Sequence, residues 1–111
     1  MMIDITINRS KSGFIVSFTM SGHALYADHG KDLVCAGASA VSFGTINAVH
    51  ALTGVIPDIV QEESGFLSCS IPENLPNDVQ DKIQLLLQGM IISLQTIEEQ
   101  YGEHIKITFK E

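Results

Sequence analysis

Hydrophobic and polar residues alternate in two short runs near the start of the chain. The first run places Ile3, Ile5 and Ile7 between polar residues, and the second consists of Phe14, Val16, Phe18 and Met20. A period of two is typical of strands that bury one face. The stretch RSKSG between the runs is a turn signal, so the sequence predicts a β-hairpin.

The pattern changes to helical spacing after residue 32. A run rich in alanine and other small residues from Leu33 to Leu52 predicts a first long helix, which ends at Thr53-Gly54. A second helix is predicted from about Asn77 to Tyr101, because its apolar residues recur every three or four positions. These residues are Val79, Ile83, Leu86, Met90, Leu94, Ile97 and Tyr101.

The remaining segments predict three more strands. Asp58 to Glu63 and Phe66 to Ile71 form a second hairpin across Ser64-Gly65, and alternation at Ile105, Ile107 and Phe109 predicts a last strand. The element order is therefore ββαββαβ. We expect one α+β domain over residues 1–111, with a mostly antiparallel sheet packed by two long helices.

The charge balance favours a basic partner. Six Lys and Arg residues against thirteen Asp and Glu residues give a net charge of -7. Such a surface repels phosphate, so we expect no direct nucleic-acid partner and consider basic polypeptides more plausible. We see no signal peptide and no apolar run long enough to cross a membrane, which predicts a cytoplasmic protein without a membrane partner.

The stretch from Ser21 to Ser42 concentrates residues that carry chemistry. Asp32 stands where a helix N-cap is expected, which would put Cys35 in the first turn of the helix. The helix dipole and free amide groups there favour a thiolate, whereas the charge of Asp32 opposes one. Cys35, Ser39 and Ser42 share one helix face, and this polar strip could line a cleft.

A histidine lies close enough in sequence to serve such a thiol. His23 follows a predicted strand, and a short loop could fold it over the start of the helix. A cysteine–histidine pair needs a thiolate near an imidazole that later protonates a leaving amine. Amide groups at the helix N-terminus could stabilise the oxyanion.

Several simpler interpretations compete with this one. A free cysteine in a helix is usually a small buried hydrophobe, and a loop histidine is often only solvated. A metal site built from His23, His29, Asp32 and Cys35 is conceivable. The sequence lacks the paired cysteines and the His-x3-His spacing that such sites commonly use. Cys69 alternates with apolar neighbours on a strand, so we interpret it as core.

The motif in this stretch resembles that of the ribosomal-processing cysteine protease family (Prp). The matching pattern is G-H-A-x5-G-x-D-x-V-C-A-x2-S, which runs from Gly22 to Ser39, and the resemblance extends over essentially the whole chain. It implies a cytoplasmic homodimer that removes a short N-terminal extension from the large-subunit ribosomal protein numbered twenty-seven. The resemblance further implies a cut after a pair of aromatic residues.

The resemblance also assigns roles to residues. It matches His23 and Cys35 to a catalytic dyad, and Asp32 to a motif aspartate, for which we infer an orienting or capping role. It implies that Ser39 borders the substrate groove, and the helix face that Ser42 shares with Ser39 predicts that Ser42 lines the groove as well. It further implies that residues 21–31 form a mobile loop hinged at Gly22 and Gly30. We expect that the protein uses no metal or other cofactor.

Two functions follow as hypotheses. A cysteine endopeptidase that forms a thioester acyl-enzyme predicts that Cys35→Ala abolishes turnover. A non-catalytic ribosome-associated module that binds a basic polypeptide predicts instead that charge reversal at Glu62 and Glu63 is harmful. An extended peptide substrate could also add to a sheet edge.

Overall fold

The element order of the structure is the predicted ββαββαβ. The computed structural model describes residues 2–22, 29–62 and 65–111, and of residues 29–32 it describes the helix backbone alone. The elements are β1 (Ile3–Arg9), β2 (Ile15–Ser21), α1 (His29–Thr53), β3 (Asp58–Glu62), β4 (Phe66–Ser70), α2 (Asn77–Tyr101) and β5 (Ile105–Lys110).

The five strands form one sheet in the order β3-β4-β2-β1-β5. Neighbouring strands are antiparallel except β1 and β5, which are parallel, so the expectation of a mostly antiparallel sheet is confirmed. One face of the sheet is apolar and buried, as the alternation predicted. It presents Ile3, Ile5, Ile7, Phe18, Met20, Leu67, Cys69 and Ile105 to the core.

Strand β2 departs from the predicted alternation at its first residues. Asn8 pairs with Ser17, but the next residue, Arg9, pairs with Ile15, so one residue of β2 bulges out. A bulge shifts the side-chain parity. Ile15 is therefore buried, whereas Phe14 and Val16 are about 40% exposed (42% and 40%), and their predicted place on the core face is wrong.

Helix α2 has the predicted limits, and its apolar stripe packs on the core. Its buried residues are Ile83, Gln84, Leu87, Met90, Ile91 and Leu94. The stripe is wider than predicted, because Leu87 and Ile91 join it. Gly102 follows the helix with right-handed φ and ψ, so the end of α2 requires no left-handed backbone.

Helix α1 packs beside α2 and contributes Val34, Ala38, Ile46 and Val49 to the core. Its segment Leu33–Thr53 has a mean hydropathy of 1.3 and is long and apolar enough to cross a membrane by these criteria. The sequence expectation that no segment reaches this length is therefore wrong. Core contacts account for only part of this apolar character, since 33% of the apolar window is buried and Leu33 and Leu52 are exposed.

Candidate active site

Cys35 projects from α1 toward the protein interior. Its side chain is 9% exposed and belongs to the core cluster together with the neighbouring Val34 and with Ala38. It forms no disulfide. Only a small part of this residue is therefore open to a reactant.

The helix that carries Cys35 begins earlier than the sequence predicted. Its first residue is His29 rather than Leu33, so the backbone of Asp32 lies inside the first turn and not at the N-cap. Cys35 therefore lies in the second turn. Only the first four amide groups of a helix lack a partner within it, so the amide of Cys35 is not among them.

The two serines on the Cys35 face have different environments. Ser39, one turn further along α1, is partly exposed, so its place at a substrate groove stays a prediction. Ser42 is completely buried, and its hydroxyl has no hydrogen-bond partner in the part of the chain that the structure describes. Ser42 is therefore covered by the packing of α1, which helical spacing did not reveal, and its place at the groove stays a prediction.

Gly22, one of the two predicted loop hinges, directly follows β2 in a conformation that favours glycine. Its φ is +83°, and a Cβ atom at this position would lie 2.5 Å from the carbonyl oxygen of Met2. No L-residue side chain fits so close to a backbone oxygen. The close approach of two backbone segments thus explains Gly22, whether or not it also acts as a hinge.

Both ends of the predicted loop of residues 21–31 belong to regular elements in the structure, and residues 23–28 lie outside the described residues. Ser21 belongs to β2, and residues 29–31, including the second predicted hinge Gly30, belong to α1. Gly30 is therefore in helical backbone and not at a loop end. Glycine is unfavourable only moderately in a helix, so it did not prevent the helix from starting before it.

The proposed partner of Cys35 falls outside the described residues. His23 is among residues 23–28, and the side chains of Asp32 and His29 are not described, so the dyad and the orienting role of Asp32 stay predictions. Within residues 2–22, 33–62 and 65–111, no group of three or more His, Cys, Asp and Glu residues could hold a metal ion.

Cys69 differs from Cys35 in a way that bears on reactivity. It is 1% exposed on β4, as its interpretation as core predicted, and burial raises the pKa of its thiol to about 11. Burial is the larger cause of this shift, and the nearby carboxylate of Asp58, whose influence the sequence did not reveal, is the smaller one. A thiol with this pKa is almost entirely protonated at neutral pH, which makes it a poor nucleophile.

A family model and a relative of known name match almost the whole chain and agree with each other. A family model described as cysteine protease Prp matches residues 2–106. The ribosomal processing cysteine protease Prp of Bacillus subtilis (strain 168) is 47% identical over 108 residues, which cover 96% of each chain.

Solved structures with the same fold include two of the Staphylococcus aureus protease Prp. One, in complex with a substrate peptide, has a TM-score of 0.86 and 40% identity, and the match covers 98% of this chain and 100% of that chain. The other holds a covalently linked product peptide and has a TM-score of 0.84 and 42% identity, with the same coverage.

Proposed function

We propose that this chain, which belongs to the Prp family of cysteine proteases, is a ribosomal processing endopeptidase. Its substrate would be the large-subunit ribosomal protein numbered twenty-seven, made with an N-terminal extension. The enzyme would cut after a pair of aromatic residues and release the mature protein. The observation that carries this proposal is a free Cys35 near the start of α1, inside a family match that spans residues 2–106.

The proposed reaction proceeds through a thioester. His23 removes the proton from the Cys35 thiol, and Sγ attacks the carbonyl carbon of the scissile peptide bond. The tetrahedral intermediate collapses as the C–N bond breaks, and the imidazolium of His23 gives its proton to the leaving amine. Water, deprotonated by His23, then attacks the thioester and releases the new carboxyl group and the Cys35 thiol.

The surrounding residues would support these steps. We assign Asp32 the role of orienting His23, and Ser39 that of bordering the peptide. The free amide groups of α1 lie in its first turn, about one turn before Cys35. They would stabilise the oxyanion when the peptide carbonyl points toward the helix start. The segment between Gly22 and α1 would close over the peptide and exclude water.

We also propose that the protein acts in the cytoplasm, as a homodimer, during ribosome biogenesis. The negative net charge supports a basic ribosomal protein as the substrate, because opposite charges accelerate encounter. The resemblance to the family supports the compartment and the dimer. Light scattering of the purified protein would give the oligomeric state.

A cleavage assay tests the proposal. The purified protein is mixed with the ribosomal protein that carries its extension, and intact-mass spectrometry identifies the products. We expect one cut after the aromatic pair, lost in both Cys35→Ala and His23→Ala. Cys69→Ala is the matched control, because it removes the other thiol and should still cut.

Other outcomes would contradict the proposal. A cut that survives Cys35→Ala would exclude Cys35 as the nucleophile. Binding of the precursor without a cut would instead favour a non-catalytic module that holds a basic polypeptide. Loss of cleavage in Cys69→Ala, with the fold intact, would indicate that the nucleophile is Cys69 on β4.

A further inference from the structure

The two edge strands of the sheet differ in whether a side chain forms a hydrogen bond with their outer backbone groups. At the β5 edge, the carboxylate of Glu98 on α2 accepts a hydrogen bond from the backbone amide of Ile107 at 2.8 Å. At the other edge, all five residues of β3 are exposed. Among the described residues, no hydrogen bond reaches the outer side of β3. Alternate residues of an antiparallel edge strand direct their N–H and C=O groups away from the sheet, so β3 offers free backbone groups.

The charges also differ between the two edges. β5 carries Lys106 and Lys110, whereas β3 carries Asp58 and Glu62. The sequence contains no Lys or Arg anywhere between residues 32 and 81, a range that includes β3, β4 and most of α1. The unoccupied edge is therefore also the acidic one, and it attracts a cationic segment.

The strand pairing places one end of β3 level with the start of the candidate site. β2 and β3 both pair antiparallel with β4, so they run parallel to each other. Leu67 pairs with Met20 on one side and with Gln61 on the other, which puts Gln61 level with Met20 near the end of β2, with β4 between the two strands. The chain leaves β2 at that end and begins α1, which carries Cys35 in its second turn.

We propose that the outer edge of β3 binds an extended basic segment of the substrate by strand addition. This inference rests on the proposed function and specifies where part of the substrate lies. Antiparallel addition is the more stable pairing, and it leads the peptide from Glu62 toward Asp58. The segment on β3 is then the one that follows the scissile bond, namely the start of the mature basic protein.

Backbone pairing can be tested on the unaltered enzyme. The probe is a quenched fluorescent peptide that spans the cleavage site and continues through the first basic residues of the mature protein. One peptide is made for each position after the cut, with that single amide N-methylated. Only alternate amides of an added strand bond to the edge, so we expect KM to rise about tenfold at every second position and little between them.

Charge recognition is tested with variants of the protein. The double variant Asp58→Lys/Glu62→Lys reverses the edge, and Glu99→Lys/Glu103→Lys is the control with the same change in net charge on exposed residues of α2 and the following turn. We expect the edge variant to raise KM about tenfold at low salt and to leave kcat nearly unchanged. This difference should shrink at high salt, because ions screen exposed charges. Thermal melts confirm that both variants fold.

The outcomes separate this inference from the proposed function. Cys35-dependent cleavage with equal KM in both variants, or with N-methylation losses that do not alternate, overturns strand addition at β3 and leaves the protease intact. If no peptide is cut, fluorescence anisotropy of the same peptides on the protein decides. The β3 site is supported if affinity falls at every second N-methylated position and also falls in the Asp58→Lys/Glu62→Lys variant. If these losses of affinity are absent, the β3 site is overturned.

Discussion

The side chain of Gln84 makes both backbone hydrogen bonds of Ile15. Its Oε1 accepts from the Ile15 amide at 2.8 Å, and its Nε2 donates to the Ile15 carbonyl at 2.9 Å. The last pair between β2 and β4 is Ser17 with Ser70, so Ile15 lies beyond the end of β4. Gln84 of α2 thus takes the place of a strand partner and fixes the bulged start of β2 to the helix.

Replacement of Gln84 by methionine should destabilise the protein by about 2 to 6 kcal/mol. The substitution keeps a similar volume but leaves a buried N–H and a buried C=O without partners, and each such group costs about 1 to 3 kcal/mol. Urea unfolding measures the free energy change. Gln88→Met, one turn further along α2 at an exposed position, is the control and should change stability little. Equal effects of the two variants would mean that the Ile15 bonds contribute nothing.

The sequence predicts an element correctly where its hydrophobic pattern fits only one secondary structure and only one buried face. The alternation in β1 and the long stripe of α2 each fit only one element, and both were predicted correctly. The start of β2 did not have this property. Phe14, Ile15 and Val16 are all apolar, so alternation fits either parity, and the bulge that decides between them depends on Gln84.

The candidate site was less predictable for the same reason. α1 is apolar or small on most faces, so periodicity neither marks its first residue nor shows which side is covered. Cys35 could be singled out from its neighbours in sequence. The burial of Ser42 depends instead on how α1 packs in three dimensions, which the spacing of residues does not contain.

Gly22→Ala should destabilise the protein more than Gly13→Ala does. Both glycines have positive φ, +83° and +92°, so each substitution costs about 1 to 2 kcal/mol for the left-handed backbone. Only at Gly22 does the added Cβ also meet a backbone oxygen, that of Met2, whereas the space around Gly13 is open. Differential unfolding in urea isolates this contact. Equal losses at the two positions would show that the chain before β1 moves aside without cost.

The two thiols should differ in their reaction with iodoacetamide at pH 7.5. Alkylation requires the thiolate, and the raised pKa of Cys69 together with its burial keeps that group neutral and covered. Intact-mass spectrometry of the folded protein should therefore show one adduct, which Cys35→Ala removes and Cys69→Ala retains. Two adducts should appear only in denaturant. An adduct on folded Cys35→Ala would show that β4 opens far more readily than its burial suggests.

The folded protein should lose stability between about pH 9 and pH 11 because of Cys69. Below pH 9 the thiol is protonated in both the folded and the unfolded chain. Above it the unfolded chain releases the proton, while the folded chain, in which the pKa is about 11, retains it. Fewer protons on the unfolded state mean that the free energy of unfolding falls as the pH rises, by no more than about 3 kcal/mol. Urea midpoints at pH 7.5 and 10.5 measure the loss in the wild-type protein and in Cys69→Val. The two proteins differ only at residue 69, so the smaller loss expected in the variant isolates Cys69, and parallel losses would exclude it as the cause.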